Sequence, residues 1–337
     1  MITRAKLVRW LVIVVLLGGV FLIVRYTRDK PSPEPPARVS IGISATSLLP
    51  ALIHIADSKG FFRGEGLDVE IEGYPTGKAA LAATLNGEVD MGTVADIPIV
   101  SNSFERDDFA VWATIVDSAQ HAKALARKDR NISTPRDLLG KTIATSIGTT
   151  SHFFMVTFFA LNRMDIDQVE IVDMKPSQMV EAIVNGEVDA IFGWEPNVTE
   201  AAERLGDNAL LLPSEVGYMA TFNLASTDDF IEDNPESIRR VIRALTKAEE
   251  FAEQNREESV DILASRLETD REDIDKLWDG YEFRLSLSQS LLITLENEAK
   301  WSIRSNFTNK TGIPNFLDYI YMDAFDEIRP ESISIIH

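Results

Sequence analysis

The sequence predicts an α/β protein of two sheet-centred units, preceded by one N-terminal transmembrane helix. Three observations carry this. A single long apolar stretch lies near the start, strand and helix patterns alternate from Val39 onward, and one five-residue sequence recurs 99 positions apart at the same point of that alternation. At 337 residues with 45% apolar content, the chain is long enough for two packed domains.

The apolar stretch comes first in the chain. Between Arg9 and Arg25 run fifteen uncharged residues, Trp10 to Val24, and twenty residues separate Leu7 from Tyr26 inclusive. Twenty helical residues at about 1.5 Å each span roughly 30 Å, the thickness of a hydrocarbon core. Arg9 and Arg25 can reach the interfaces, and Trp10 and Tyr26 fall where interfacial aromatics belong. The basic start Arg4, Lys6, Arg9 also suits a cleaved secretory signal, but no convincing small-residue cleavage site follows it, so an uncleaved anchor over residues 1–28 is the reading adopted. Residues 29–37, Asp-Lys-Pro-Ser-Pro-Glu-Pro-Pro-Ala, cannot enter a helix and read as a semi-rigid spacer.

Charge follows the same division. Residues 1–30 hold six basic side chains and one acid, leaving 27 basic against 52 acidic for the remainder. So acidic a body is a poor partner for nucleic acid and is repelled by anionic headgroups unless tethered. Cysteine is absent, which removes disulfides, thiolate metal sites, cysteine nucleophiles and lipidation on cysteine.

In the body, Val39–Ile43 reads as a strand, Leu49–Lys59 as a helix ended by Gly60, Val69–Glu72 as a strand and Lys78–Leu85 as a helix. That helix closes on Asn86-Gly87-Glu88-Val89-Asp90, followed by a buried strand, Met91–Val94. The same five residues, Asn185-Gly186-Glu187-Val188-Asp189, close a later helix and lead into Ala190–Phe192. Asn-Gly by itself is a common helix stop, with glycine in the left-handed region; the matching order of elements around it points to one such unit in each lobe. Thr134-Pro135-Arg136-Asp137 reads as a helix start with a capping box, Thr142–Ser146 as a strand and Ser151–Leu161 as a helix, so a second unit starts near Gln120. After Phe222–Ala225 the chain turns helical, with runs from Asn234-Pro235 to about Asn255, Glu257–Leu267, Arg271–Trp278 and Ser290–Ser305, a tail that covers one lobe or bridges both.

Familiar catalytic signatures are missing. Gly73-Tyr-Pro-Thr-Gly77-Lys78 is one residue too short for a phosphate-binding loop and has Ala79 where a hydroxyl is needed. No Gly-x-Ser-x-Gly or His-Glu-x-x-His occurs, and the histidines are His54, His121, His152 and His337. Acid pairs such as Glu249-Glu250 and Glu257-Glu258 sit in helical stretches and read as solvated faces. No catalytic residue, metal ligand or cofactor is assigned.

The run Ile41 to Ile71, with Leu48-Leu49-Pro50 and Gly60-Phe61-Phe62-Arg63-Gly64-Glu65-Gly66-Leu67, resembles the opening of the NMT1/THI5-like proteins. So do Leu85-Asn-Gly-Glu-Val-Asp-Met-Gly-Thr93, Asp137-Leu-Leu-Gly-Lys-Thr-Ile-Ala144, Gly148-Thr-Thr-Ser151 and Gly186-Glu-Val-Asp-Ala-Ile-Phe-Gly-Trp-Glu-Pro196. These proteins include the solute-binding components of ABC importers for nitrate, sulfonates, taurine and the thiamine pyrimidine. The resemblance implies a type II periplasmic-binding-protein fold, two α/β lobes that close about a hinge on a small ligand. Crossings near Ser118–Ala122 and Thr221–Ala225 would give lobe 1 as 38–120 and 225–337 and lobe 2 as 121–224.

Ligands of such sheets bind beyond the carboxyl ends of strands. After the first strand come Ser44, Thr46 and Ser47, which serve equally to cap the next helix. Thr93, Ala95 and Asp96 follow the repeat strand of lobe 1, where the resemblance implies backbone and small polar contacts. Asp117, Ser118 and Gln120 sit at the expected hinge, where a turn role is the simple alternative. Gly148, Thr149, Thr150, Ser151 and His152 open a helix, an arrangement suited to an anion as well as to ordinary capping. Trp194 offers an apolar wall or core, and Glu195, if it faces the cleft, a partner for an amine, favouring an aminosulfonate or pyrimidine.

The expected molecule is therefore a monomeric solute-binding protein on the outer side of the cytoplasmic membrane, anchored by its N-terminal helix. It would capture a small polar or anionic solute and present it to an ABC permease with its ATPase. A ligand-sensing subunit of a signalling system is the alternative. An enzyme like the thiamine-pyrimidine synthases is a further one, disfavoured because the cysteine- and histidine-bearing site expected of them is missing.

Overall fold

The computed structural model of the chain describes residues 35–45, 47–214, 216 and 218–336. The anchor expected at 7–26, most of the proline-rich spacer and Thr46 lie outside the described residues. Among the described residues, no helix is long and apolar enough to cross a membrane. A compact unit begins at Ala37.

Its first half opens with β1 (Ala37–Ser44), α1 (Ala51–Ser58), α2 (Phe61–Gly64), β2 (Leu67–Tyr74), α3 (Gly77–Leu85), β3 (Met91–Ala95), α4 (Asp96–Ser103) and β4 (Phe109–Ser118). The chain then passes to β5 (Ala122–Arg127), β6 (Thr142–Thr145), α5 (Thr150–Leu161), β7 (Glu170–Asp173), α6 (Pro176–Asn185), β8 (Ala190–Trp194), α7 (Asn197–Leu205) and β9 (Ala209–Leu211). It returns as β10 (Ala220–Thr227). Two five-stranded sheets result, ordered β2-β1-β3-β10-β4 and β7-β6-β8-β5-β9.

Each sheet begins with three parallel strands, β2-β1-β3 in one and β7-β6-β8 in the other, and continues with a strand antiparallel to them, β10 or β5. The recurring Asn-Gly-Glu-Val-Asp leads into the third parallel strand of each. Gly87 and Gly186 adopt φ of +73° and +76°, which glycine reaches without steric cost. The aspartates close the motif onto the first parallel strand of their own sheet: Ser40 N–H donates to Asp90 Oδ2 at 2.7 Å and Thr142 N–H to Asp189 Oδ2 at 3.0 Å. The repeat thus fixes helix end, strand entry and neighbour in one loop.

The capping box at Thr134 forms as the sequence predicts, with Asp137 accepting from the backbone and hydroxyl of both Ser133 and Thr134, but the helix it opens is a single 3-10 turn, Pro135–Leu138.

The return crossing lies earlier than the sequence suggests. Residues 221–224, assigned to lobe 2 and its hinge, instead lie inside β10, which pairs with β3 and β4 of the first sheet from Ala220 onward. The crossing therefore precedes Ala220. An apolar strand such as Phe222-Asn-Leu-Ala225 gains more by pairing on both edges than by spanning a hinge.

The tail comprises α8 (Asp228–Asp233), α9 (Pro235–Gln254), α10 (Arg256–Leu267), α11 (Arg271–Trp278), α12 (Gln289–Arg304) and α13 (Asp323–Ile328). Ile238, Val241, Ile242, Leu245 and Ala248 lie on one face of α9 at helical spacing and are buried in the same core as the first sheet. Residues of the tail also pair along β4, through Thr114 with Ser286 and Asp117 with Glu282. The tail thus covers the first lobe.

Candidate functional site

The two sheets direct the carboxyl ends of β1, β3 and β8 toward one small space between the lobes. From the first lobe, Ser44 ends β1 with Ser47 and Leu49 after it, and Ala95 ends β3 with Pro98 after it; Phe222 of β10 closes that side. Thr76, Gly77 and Lys78 enter from the start of α3. The second lobe contributes His121 ahead of β5, Thr149 and Thr150 at the start of α5, and Trp194 at the end of β8.

Two helix N-termini therefore face the same cavity. Thr76 caps α3, its Oγ1 accepting from Ala79 N–H at 3.1 Å, which leaves its own O–H able to donate. Gly77 is closely packed: a Cβ there would lie 3.1 Å from the Phe222 ring and 3.2 Å from the Thr93 carbonyl oxygen, so these neighbours would have to give way slightly. Across the cavity, α5 makes its first intrahelical bonds from His152 and Phe153 N–H to Thr149 O, at 3.1 and 3.2 Å, so the helix presents its opening turn to the space. Positive helix ends on both walls favour an anionic group between them.

Among the described residues, the charged lining group is Lys78, exposed at the cavity mouth. Its Nζ donates to Ile147 O of the second lobe at 3.1 Å. Gly148, at φ +75°, gives it room; a Cβ there would sit 2.8 Å from Nζ. The receiving loop is held by Ile147 N–H donating to Asp173 Oδ1 at 2.9 Å and by Thr149 Oγ1 donating to Ser146 O at 2.7 Å.

Trp194 is 5% exposed, and its indole Nε1 is buried without a hydrogen-bond partner. A buried unpaired N–H costs free energy that an acceptor in the cavity would recover. Trp194 stacks on His121 at 6.1 Å between ring centroids, and His121 Nδ1 shares a hydrogen bond of 3.0 Å with the Tyr281 hydroxyl. Burial pushes the His121 imidazolium down to about 3, so the ring is neutral and adds no charge.

The sequence-derived residues divide into several groups. Ser44, Ser47, Ala95, Thr149, Thr150 and Trp194 line the cavity. Thr93, Asp96 and Ser151 are buried beside it and occupied: Thr93 Oγ1 accepts from Ser44 N–H, and the Ser151 hydroxyl bonds to those of Thr145 and Thr149. Asp96 accepts from the Tyr218 hydroxyl and from the backbone of Ile97 and Thr221, while burial pushes its carboxyl up to about 6. His152 accepts from Gly148 N–H at 3.2 Å and sets its ring edge-on to Phe307, so it supports the loop.

Ser118, Gln120, Asp117 and Glu195 are engaged with other partners in this structure. Ser118 donates to Gly280 O at 2.7 Å and accepts from Gln120 N–H, and the Gln120 side chain lies against Gly280, so both belong to the contact between hinge and tail. Asp117 exchanges backbone hydrogen bonds with Glu282. Glu195 does not face the cleft: it is 1% exposed, ion-paired with Lys123 Nζ at 2.6 Å and accepting from Thr199 N–H at 3.0 Å. The antiparallel register of β5 on β8, with Ala122 opposite Trp194, places Lys123 beside it.

The sequence reading missed Leu49, Thr76, Gly77, Lys78, Pro98, His121 and Phe222. Gly77-Lys78 was visible as a failed phosphate-binding loop, and its position at a helix start was the available signal. Phe222 carried no local signal, because its place depends on the return of β10.

Aromatic side chains also join the lobes outside the cavity. Phe153 of α5 packs on Trp301 of α12 at 4.8 Å and on Tyr218 of the return segment at 4.9 Å, and Trp301 stacks on Phe307.

The model of a family described as NMT1/THI5 like matches residues 50–259. The taurine-binding periplasmic protein of Escherichia coli is 29% identical over 209 residues, 61% of this chain and 63% of the relative. Among solved structures, the alkanesulfonate-binding protein SsuA from Xanthomonas axonopodis pv. citri, bound to MOPS, superposes with a TM-score of 0.74 at 19% identity, covering 85% of this chain and 99% of that one. The periplasmic nitrate-binding protein NrtA from Synechocystis superposes at 0.68 and 15% identity, covering 87% and 88%. The two lobes have the periplasmic-binding-protein fold.

Proposed function

The chain belongs to the NMT1/THI5-like family, and from that premise we propose that it is a membrane-anchored solute-binding protein of an ABC-type importer. It captures a small anionic organic solute in the interlobe cavity as a monomer on the outer side of the cytoplasmic membrane, and delivers it to a permease driven by an ATPase. The observation that carries this reading is the cavity itself, walled by strand ends of two lobes and facing two helix N-termini, with an unpaired indole N–H in its lining. Among the described residues the lining consists of hydroxyls, apolar groups, one lysine and the buried neutral His121 ring, which fits a non-catalytic role. The N-terminal apolar stretch and proline-rich spacer support the tether.

Thermal denaturation of the full-length chain in mild detergent, with alkanesulfonates, taurine, nitrate, carboxylates and pyrimidines, tests the reading. A true ligand at 100 times its Kd stabilises by about 2.7 kcal/mol. No stabilisation by any of these classes overturns the binding function. Recovery of the full-length chain in the soluble fraction after lysis overturns the anchor.

A further inference from the structure

We infer that closing the two lobes traps a proton on a buried carboxyl pair, Asp96 and Glu298, so that acid favours the closed form. Such coupling belongs to closure itself and holds whichever solute the cavity takes.

The pair lies where the lobes meet, behind the cavity wall at Ala95. Asp96 opens α4 and is fully buried, its oxygens accepting from the Ile97 and Thr221 amides at 2.9 and 3.1 Å and from the Tyr218 hydroxyl. Glu298 comes from α12, which packs along α4. It is 1% exposed, and neither of its carboxyl oxygens has a hydrogen-bond partner among the described residues. The Tyr218 hydroxyl has only one proton to give, and Asp96 takes it, while the Thr150 hydroxyl of α5 bonds to the same phenol group. A carboxyl buried in this way, without water or partner and beside a second acid, is held as the neutral acid.

The second lobe supplies the cover. Phe153 of α5 packs on Tyr218 at 4.9 Å and on Trp301 at 4.8 Å, and Trp301 follows Glu298 by three residues, about one turn of α12. Opening the lobes withdraws α5 from both rings and admits water to the pair, whose acids then ionise in the ordinary carboxyl range. In the closed form, burial raises Asp96 to about 6 and lifts Glu298 well above its ordinary value, with the Asp96 charge adding to the latter. Groups that bind more protons in the closed form favour it at low pH, and that bias is lost as pH rises through about 6 and beyond. Desolvation and the two acids keep the Tyr218 phenol protonated throughout. His152 of α5 titrates in the opposite sense, because burial lowers its imidazolium to about 4, so the acids are tested by difference.

Glu88 and Glu187, the exposed glutamates of the two repeats, offer one labelling site on each lobe, and the chain has no cysteine of its own. The full-length Glu88→Cys, Glu187→Cys chain, spin-labelled in mild detergent without solute, reports open and closed distances by pulsed electron resonance at pH 5, 6.5 and 8. Divided by the same ratio in a version that also carries Glu298→Gln, the closed-to-open ratio should fall about tenfold or more from pH 5 to pH 8. Asp96→Asn serves the same comparison should Glu298→Gln fail to fold. A quotient that stays constant over the range, or a single unchanging distance at every pH, overturns the inference. A closed fraction at pH 8 that rises when sodium or potassium chloride replaces choline chloride also overturns it, since the trapped charge would then be a metal cation. None of these outcomes touches solute binding, which the denaturation screen above tests separately.

Discussion

Lys78 of the first lobe donates its Nζ proton to the Ile147 carbonyl of the second at 3.1 Å, directly at the mouth of the cavity. One side chain therefore both supplies the cavity's positive charge and holds the two lobes against each other. Coulombic attraction to a captured anion and closure of the cleft then act through the same nitrogen.

Replacing that lysine should separate binding from folding. Lys78 is exposed, so Lys78→Met changes the melting temperature of the unliganded chain little. A lost charge-assisted hydrogen bond is worth about 1.5–3 kcal/mol, so affinity for an anionic ligand should fall by about tenfold or more. Calorimetry showing unchanged affinity would remove Lys78 from the site.

Gly148 is predicted to be intolerant for two separable reasons. Its φ of +75° costs alanine about 1 kcal/mol, and the new Cβ would lie 2.8 Å from Lys78 Nζ. Gly148→Ala should therefore lower the melting temperature and weaken ligand binding. In a Lys78→Met background the stability loss should persist while the further loss of affinity disappears; simple additivity of the two binding effects would contradict the contact.

Trp194→Phe keeps an aromatic wall and deletes the buried unpaired N–H. Because the orphaned donor costs about 1–3 kcal/mol in the empty protein, the variant should be as stable as the parent or more so, yet bind ligand several-fold less tightly. An unaltered Kd would mean that the indole N–H meets no ligand atom.

The pH dependence of stability should carry opposing signatures. Burial lowers His54, His121 and His152 to about 4, 3 and 4; these groups bind fewer protons folded than unfolded, so their contribution raises stability from about pH 4 up to 6.5. Burial raises Asp96 and Asp117 to about 6 and lifts Glu298 well above its ordinary value, so these groups lower stability as pH rises from about 4. Asp96→Asn deletes one falling contribution while retaining an acceptor for the Tyr218 hydroxyl. Urea unfolding at pH 4, 5 and 6 should show the variant gaining on the parent as pH rises; a relative loss over that interval would refute the assignment.

Much of the framework was legible in the residues. The repeated Asn-Gly-Glu-Val-Asp marked the third parallel strand of each sheet because its roles are local: a left-handed glycine, a helix stop, and an aspartate that reaches the adjacent strand. The tail helices announced themselves by periodicity, as in the apolar face from Ile238 to Ala248. The hydroxyls at Ser44, Ser47, Thr149 and Thr150 were recognisable because helix starts after strands are set within a few residues of sequence.

What local pattern could not decide was which side of each strand end faced the partner lobe. Glu195 and Trp194 are neighbours in sequence, yet one is turned to Lys123 by the register of β5 on β8 and the other lines the cavity. Lys78 looked like a defective nucleotide motif until the second lobe brought Ile147 to it from 69 positions away. Strand, helix and repeat follow from short-range sterics and periodicity, which the sequence by itself determined. The polarity of the cavity follows from pairings between distant segments, and only the tertiary structure decided those, because a charge is neutralised by whatever folding places beside it.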